Sequence, residues 1–228
     1  MIKFENTEVM NFEGAFRGMR NPLNSWDKSD SGYCDKDGPR LGPPGRFCLG
    51  PNDLDLARRL IKAGSDHRKF LRQIFVSVDI IAPLYWWKEF DTYKVATVAN
   101  SCSTMHKIHD RDLTLDDFSH DHLFNGLDRV EGASDMEHWE NPEGALEYVI
   151  GVINHYRKLY LETKDKRYWW QMIQLLPSSY NQKRTVTLNY ETLRNIHKSR
   201  KAHKLDEWSV GFMNWIESLP YADDLIMS

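Results

Sequence analysis

Residues 69–105, KFLRQIFVSVDIIAPLYWWKEFDTYKVATVANSCSTM, decide the fold. From Phe75 to Ile81 large apolar residues alternate with Ser77 and Asp79, the two-residue period of a strand with one buried face. Pro83 ends that strand. Leu84 to Tyr93 reads as a helix with bulky side chains nearly all round, the pattern of a helix packed against more than one neighbour. Thr92 to Thr104 is rich in small hydroxyl side chains, and a helix running into such a turn is suited to hold a phosphate or the edge of a flavin.

Upstream, Asn52 is placed to cap a helix over Asp53 to Ala63. Leu54, Leu56, Leu60 and Ile61 form its buried side, and Gly64 follows its C-terminus. Before it, Asn21 to Pro51 shows neither period, and glycine and proline crowd its second half, so it reads as loop. Long loops inside compact domains are commonly binding loops or disordered segments. Trp26, Tyr33 and Phe47 favour order, because disordered tracts are poor in aromatics. The 21–51 arm is therefore expected either to fold over a site as a lid or to wrap a neighbouring subunit. The first twenty residues suggest a short strand and a turn of helix carrying Arg17 and Arg20, whose ordinary reading is a solvated pair.

Downstream, His106, His109, Asp110 and Asp112, then Asp116, Asp117, His120, Asp121 and His122, make a histidine and aspartate cluster. His106 and His109 would share a helix face, an arrangement open to a metal-dependent hydrolase. No H-E-x-x-H or similar spacing supports that chemistry, and a solvated acidic face capped at Thr114 is the simpler reading, so no metal site is assigned. Residues 123–140 read as loop. Asn141 as cap and Pro142 at the first helical position then start a long amphipathic helix to about Thr163. Its stripe of Leu146, Val149, Ile150, Ile153, Tyr156 and Leu159 suits scaffold or subunit contact. A further helix spans Lys166 to Leu175 and closes at Leu176-Pro177. The last, Asp206 to Leu219, presents Trp208, Phe212, Trp215 and Ile216 as a packing face.

The 228 residues suffice for a sizeable core, and a single domain is expected. A net charge of −3 gives no reason to expect nucleic acid as a partner. No apolar run approaches the roughly 18 residues of a membrane span, and the start MIKFENTEV lacks the apolar core of a signal peptide, so the expected location is the cytoplasm. Cys34, Cys48 and Cys102 are odd in number and show no paired spacing, which predicts reduced thiols.

The order of these parts resembles the flavin-dependent (ThyX-type) thymidylate synthases. Phe70-x-x-Gln73-Ile74-Phe75 leads into the strand, and Ala82-Pro83 into the aromatic helix and a basic, hydroxyl-rich turn. In that register the family motif R-H-R-x-x-S falls on Thr92 to Thr97, where Lys94 keeps a basic residue and Thr97 a hydroxyl, while Thr92 and Tyr93 depart. After Asn100 a further family serine corresponds to Cys102 or Ser103. Asn189 and, eleven residues later, Arg200 match in identity. Arg72 stands where the family has a flavin-contacting histidine, Ile173 where an arginine reaches the nucleotide, and Glu191 where an arginine contacts the flavin.

The resemblance implies an α+β fold: a small, mostly antiparallel sheet around Phe75–Ile81 flanked by helices. It also implies a homotetramer with sites between subunits, binding a dUMP-like pyrimidine nucleotide and FAD. Folate and NADPH join them only where the family's methyl transfer is retained. The residues so placed are Lys94, Thr97, Ser103 and Arg200 for the substrate and Arg72, Tyr93 and Asn189 for the cofactor. A charge-assisted hydrogen bond is worth roughly 1.5–3 kcal/mol, so losing two arginines weakens phosphate binding by about two to four powers of ten. The alternative is a non-catalytic oligomeric binding or structural protein that kept the fold and lost the site.

Overall fold

The computed structural model describes residues 2–34, 45–125 and 141–228. The chain is α+β. Its strands are β1 (Lys3–Met10), β2 (Gly32–Tyr33), β3 (Phe47–Cys48), β4 (Phe75–Pro83), β5 (Val98–Ser101) and β6 (Asn181–Asn189). Its α-helices are α1 (Phe12–Met19), α2 (Pro51–Ala63), α3 (Leu84–Phe90), α4 (Thr104–Lys107), α5 (Pro142–Thr163), α6 (Lys166–Leu175), α7 (Tyr190–Arg200) and α8 (Met213–Glu217). One sheet orders its four strands β1-β4-β6-β5, and β2 and β3 form a small antiparallel pair. No described helix is long and apolar enough to cross a membrane.

The alternation read in the sequence is the one β4 shows, with Val76, Val78, Ile80 and Ala82 buried and Phe75 exposed. The strand runs through Ile81 to Pro83, and α3 stops at Phe90, three residues short of Tyr93. Tyr93 therefore lies on a loop.

Two compact units divide the chain. One comprises Met1–Lys3, Ile80–Thr92 and Asn100–Arg184, the other Phe4–Asp79, Tyr93–Ala99 and Thr185–Ser228. In the first, Ile108, Leu113, Phe118, Leu146, Ile150, Ile153 and Met172 form a core. The start of α5 is as the sequence indicates: the Asn141 side chain accepts from the Gly144 N–H at 2.8 Å, and Pro142 opens the helix. Ile173 packs against that core as an apolar residue. In the same unit Trp86 stacks on Phe90 at 5.0 Å, and the Trp87 indole donates to the Gln182 carbonyl at 2.9 Å.

In the second unit an aromatic core joins Phe16 to Phe70, Phe4 to Trp215, and Trp208 to Phe212. The 206–219 helix is not regular, since Glu207–Phe212 is π-helical before α8 begins. Trp208 and Phe212 are completely buried, as the packing face read in the sequence requires.

The described part of the 21–51 arm is structured. Short 3₁₀ turns at Asn21–Leu23 and Trp26–Lys28 lead into the β2–β3 hairpin; residues 35–44, like residues 126–140 of the predicted 123–140 loop, lie outside the described residues. Asn52 is not the cap of α2. Pro51 takes its first position, and Asp30, from the arm, accepts from the N–H groups of Asn52 and Asp53 at 2.9 and 3.0 Å. At the other end Gly64 has φ +112°, a backbone angle suited to glycine. Asp53 itself is fully buried. It accepts from Arg20 Nε at 2.6 Å, Ser29 Oγ at 2.8 Å and the Ser31 N–H at 3.1 Å. Arg20 is thus a buried ion-pair partner rather than a solvated one, at 3% exposure.

The expectation of reduced thiols is corrected in the hairpin. Gly32 pairs with Cys48 and Tyr33 with Phe47, which brings Cys34 and Cys48 to a Cα separation of 5.6 Å, and they form a disulfide. A pairing made by strand register leaves no mark in linear cysteine spacing. Cys102 remains a free, exposed thiol.

Candidate functional site

Of the seven positions singled out by sequence, all but Ser103 lie in the second unit, where Tyr93, Lys94 and Thr97 share one loop and Asn189 and Arg200 mark the two ends of α7. The frame is α7. Asn189 caps it, its side-chain oxygen accepting from the Thr192 N–H at 2.9 Å and the Thr192 hydroxyl at 3.1 Å, and is itself buried. Eleven residues on, Arg200 is the last residue of the helix.

The loop Tyr93–Thr97 is fixed to this helix at two points. Arg200 Nε donates to the Tyr93 hydroxyl at 2.8 Å, and Thr192 Oγ1 donates to the Val95 carbonyl at 3.4 Å. The Arg200 guanidinium also lies 5.6 Å from the Tyr93 ring centre and 5.1 Å from that of Trp208, and the two rings meet edge-on. Stacking of this kind contributes about 0.5–1 kcal/mol at exposed sites and more where water is removed. It holds a planar cation in one orientation.

Within the loop, Ala96 has φ +57°, a left-handed conformation that costs a non-glycine residue about 1–3 kcal/mol. The next residue, Thr97, has its hydroxyl shielded from solvent and without a hydrogen-bond partner among the described residues. An unmet polar atom of that kind costs about 1–3 kcal/mol. Strain and an unmet hydroxyl side by side are the marks of a loop shaped for something other than its own stability. Lys94, between Tyr93 and Val95, is exposed.

The two remaining candidates, and also Glu191, have other contacts. Ser103 belongs to the other unit and caps α4, accepting from the His106 N–H at 3.2 Å. Arg72 is exposed and donates to the Ser65 carbonyl at 3.3 Å. Glu191, at the position of a family arginine, is 8% exposed and takes a two-pronged ion pair from Arg68, with Nε–Oε2 at 2.9 Å. The histidine cluster does not converge: His106 is exposed and His120 faces Glu143 at 3.6 Å. Among the described residues no group of three or more His, Cys, Asp or Glu is arranged to hold a metal ion. Sequence reasoning missed Trp208, which looked like one more apolar residue in a packing helix; its eight-residue distance from Arg200 carries no periodic signal.

No family model matches the chain, and no curated protein matches it by sequence. Solved structures do match its backbone. Thymidylate synthase X from Helicobacter pylori, solved with FAD and dUMP, superposes with a TM-score of 0.64 at 14% identity, over 99% of this chain and 97% of that one. The fold is that of ThyX. A second structure of the Helicobacter pylori ThyX complexed with FAD and dUMP gives 0.64 at 16% identity, covering 98% of this chain and 97% of that one. A UMP/dUMP methylase, PolB from Streptomyces cacaoi, bound with 5-Br UMP, gives 0.53 at 14% identity over 86% of this chain and 75% of that one. At these identities the ThyX likeness is one of backbone plan, and the side chains must be judged on their own geometry.

Those side chains fit a flavin poorly. Of the three cofactor candidates, Asn189 caps α7, Tyr93 holds Arg200 and Arg72 holds the Ser65 carbonyl, so each already has an internal partner. Glu191 puts a buried, paired carboxylate where the ThyX resemblance places an arginine on the flavin.

Proposed function

We propose that this protein is a diverged flavin-dependent thymidylate-synthase-like protein that binds a dUMP-like pyrimidine nucleotide. The observation that carries this reading is the Tyr93–Thr97 loop, which grips Arg200 at one end and leaves the Thr97 hydroxyl unmet at the other. Arg200 supplies a planar, permanently charged fork suited to a phosphate, and stacking pre-sets its orientation before a ligand arrives. Thr97 Oγ1 donates to, or accepts from, a polar edge of the ligand, and Lys94 adds charge from the exposed side of the loop. The likeness to structures solved with dUMP and with 5-Br UMP supports the pyrimidine class.

FAD belongs to the same reading through those neighbours, and it would supply the redox chemistry of methyl transfer or base reduction, with folate and NADPH as its co-reactants. Among the described residues the three cofactor candidates are already engaged within the chain, so on this reading FAD binds in a homo-oligomer in which a neighbouring copy completes the site.

A second reading is favoured by the Arg68–Glu191 pair. An inward-facing carboxylate neutralised within the chain is what remains when a phosphate-binding cation is no longer selected, as expected of an oligomeric binding or structural protein without turnover. The absorbance spectrum of the purified protein, followed by thermal shifts with dUMP and with FAD, separates the two. A flavin spectrum or a dUMP-dependent rise in Tm supports the enzyme-like reading. A colourless protein indifferent to both ligands supports the scaffold.

A further inference from the structure

A different face of α7 bounds a cavity of about 270 Å³. Arg194, His197, Lys198 and Lys201 contribute to it from positions three, four and seven apart, so they share one side of the helix. Arg68 joins them from outside the helix, and the residues 226–228 form the opposite wall. Glu191 balances Arg68 through their ion pair, which leaves Arg194, Lys198 and Lys201 as three permanent cations around one hollow.

Two physical points set this cluster apart from a solvated basic face. Like charges three or four apart on a helix destabilise it by about 0.2–0.5 kcal/mol per pair, and this face carries several. The helix dipole offsets that for Lys198 and Lys201 in the last turn, but not for Arg194 further in, nor for Arg68. Arg194 is half-buried and anchored, its Nη1 donating to the Ile226 carbonyl at 2.9 Å. Burial, and after it the charge of Arg68, lowers its proton affinity, with Glu191 opposing; burial, then Lys201, lowers that of His197, with Glu217 opposing and Arg194 adding to the fall. The cavity is therefore a region of concentrated positive potential in a partly dry setting, where an anion gains most.

We propose that this cavity is a second anion site, taking a small ligand that bears one or two phosphate groups, separate from the phosphate position assigned to Arg200. Its volume admits a diphosphate or a compact phosphate ester. Arg194 fixes the bottom of the site through its anchor on Ile226, and Lys198 and Lys201, both exposed, close over the ligand as mobile point charges.

The test is calorimetric titration of inorganic pyrophosphate into Arg200→Ala protein, in which the nucleotide phosphate position is removed. One equivalent per chain is expected to bind. Adding Lys198→Gln and Lys201→Gln, exposed changes that leave the fold intact, is expected to weaken that binding at least tenfold, and raised salt to weaken it further. Pyrophosphate affinity unchanged by the lysine pair would overturn the proposal, as would no binding to the wild-type chain. Loss of binding with Arg200→Ala alone would also overturn it while leaving the nucleotide reading in place. Binding that survives Arg200→Ala in a protein indifferent to dUMP would support it and count against the nucleotide reading.

Discussion

Arg20 and Arg200 belong to the same compact unit and sit in opposite kinds of surroundings. Arg20 is buried and gives its Nε to Asp53, a carboxylate that also gathers Ser29, Asp30 and Ser31 of the arm. Arg200 gives its Nε to a phenol hydroxyl and lays its plane against two aromatic rings. A buried arginine closed on a carboxylate holds chain segments together, and removing either partner strands a charge. Ring faces steady the plane of Arg200 in addition to its hydrogen bond to Tyr93, whereas Arg20 is held by a carboxylate. The same residue type thus closes on a carboxylate in one place and lies against two ring faces in the other.

The largest expected effect lies at the Arg20–Asp53 pair. Asp53→Ala leaves Arg20 buried without its carboxylate and should cost about 3–5 kcal/mol, measured by denaturant unfolding; a loss below 1 kcal/mol would remove the distinction between the two arginines. The pair also sets an acid limit. Burial alone would raise the Asp53 carboxyl, but hydrogen bonds from Ser31, Ser29 and Arg20, with the charge of Arg20, outweigh it and hold the group below the usual range. Its unfolded value is about 3.9, so the stabilisation is complete above roughly pH 4 and is lost as pH falls through the lower folded value. Asp53→Asn should flatten that acid limb in a Tm-against-pH series.

Next comes the hairpin. Closing a loop of about fifteen residues contributes about 3 kcal/mol in the chain-entropy account, so Cys48→Ser, or reductant on the wild type, should lower stability by about 2–4 kcal/mol. A Tm indifferent to reductant would show that the arm is secured by Asp53 alone.

A smaller effect is expected at the Arg68–Glu191 pair, where Glu191→Gln weakens a largely buried, two-pronged contact and should cost about 1–3 kcal/mol. If the variant also gains dUMP affinity, the carboxylate is what limits the site; if it only loses stability, Glu191 is a fastening like Asp53.

Much of this was legible in the sequence, because caps and periods are local. Asn141-Pro142, the alternation through Val76, Val78 and Ile80, and the Asn189 to Arg200 spacing each announce an element within a dozen residues. What stayed hidden depends on contacts between distant positions. Asp30 caps α2 from over twenty residues upstream, and strand pairing alone brings Cys34 to Cys48. Trp208 lies against Arg200 across the turn that separates α7 from the next helical stretch, a contact that no helical period signals. Arg20 was misread for the same reason, since only the folded arm supplies its carboxylate. At the site, residue identity marked Arg200 and Thr97 but not their state: one held by rings, the other unmet.

The most direct test is calorimetric titration of dUMP into the wild-type protein and into Arg200→Ala. The substitution should leave the unliganded protein folded while weakening dUMP binding by roughly ten- to a hundredfold, as loss of a charge-assisted contact requires. Equal dUMP affinity in the two proteins, or a collapse of the fold on losing Arg200, would contradict the account.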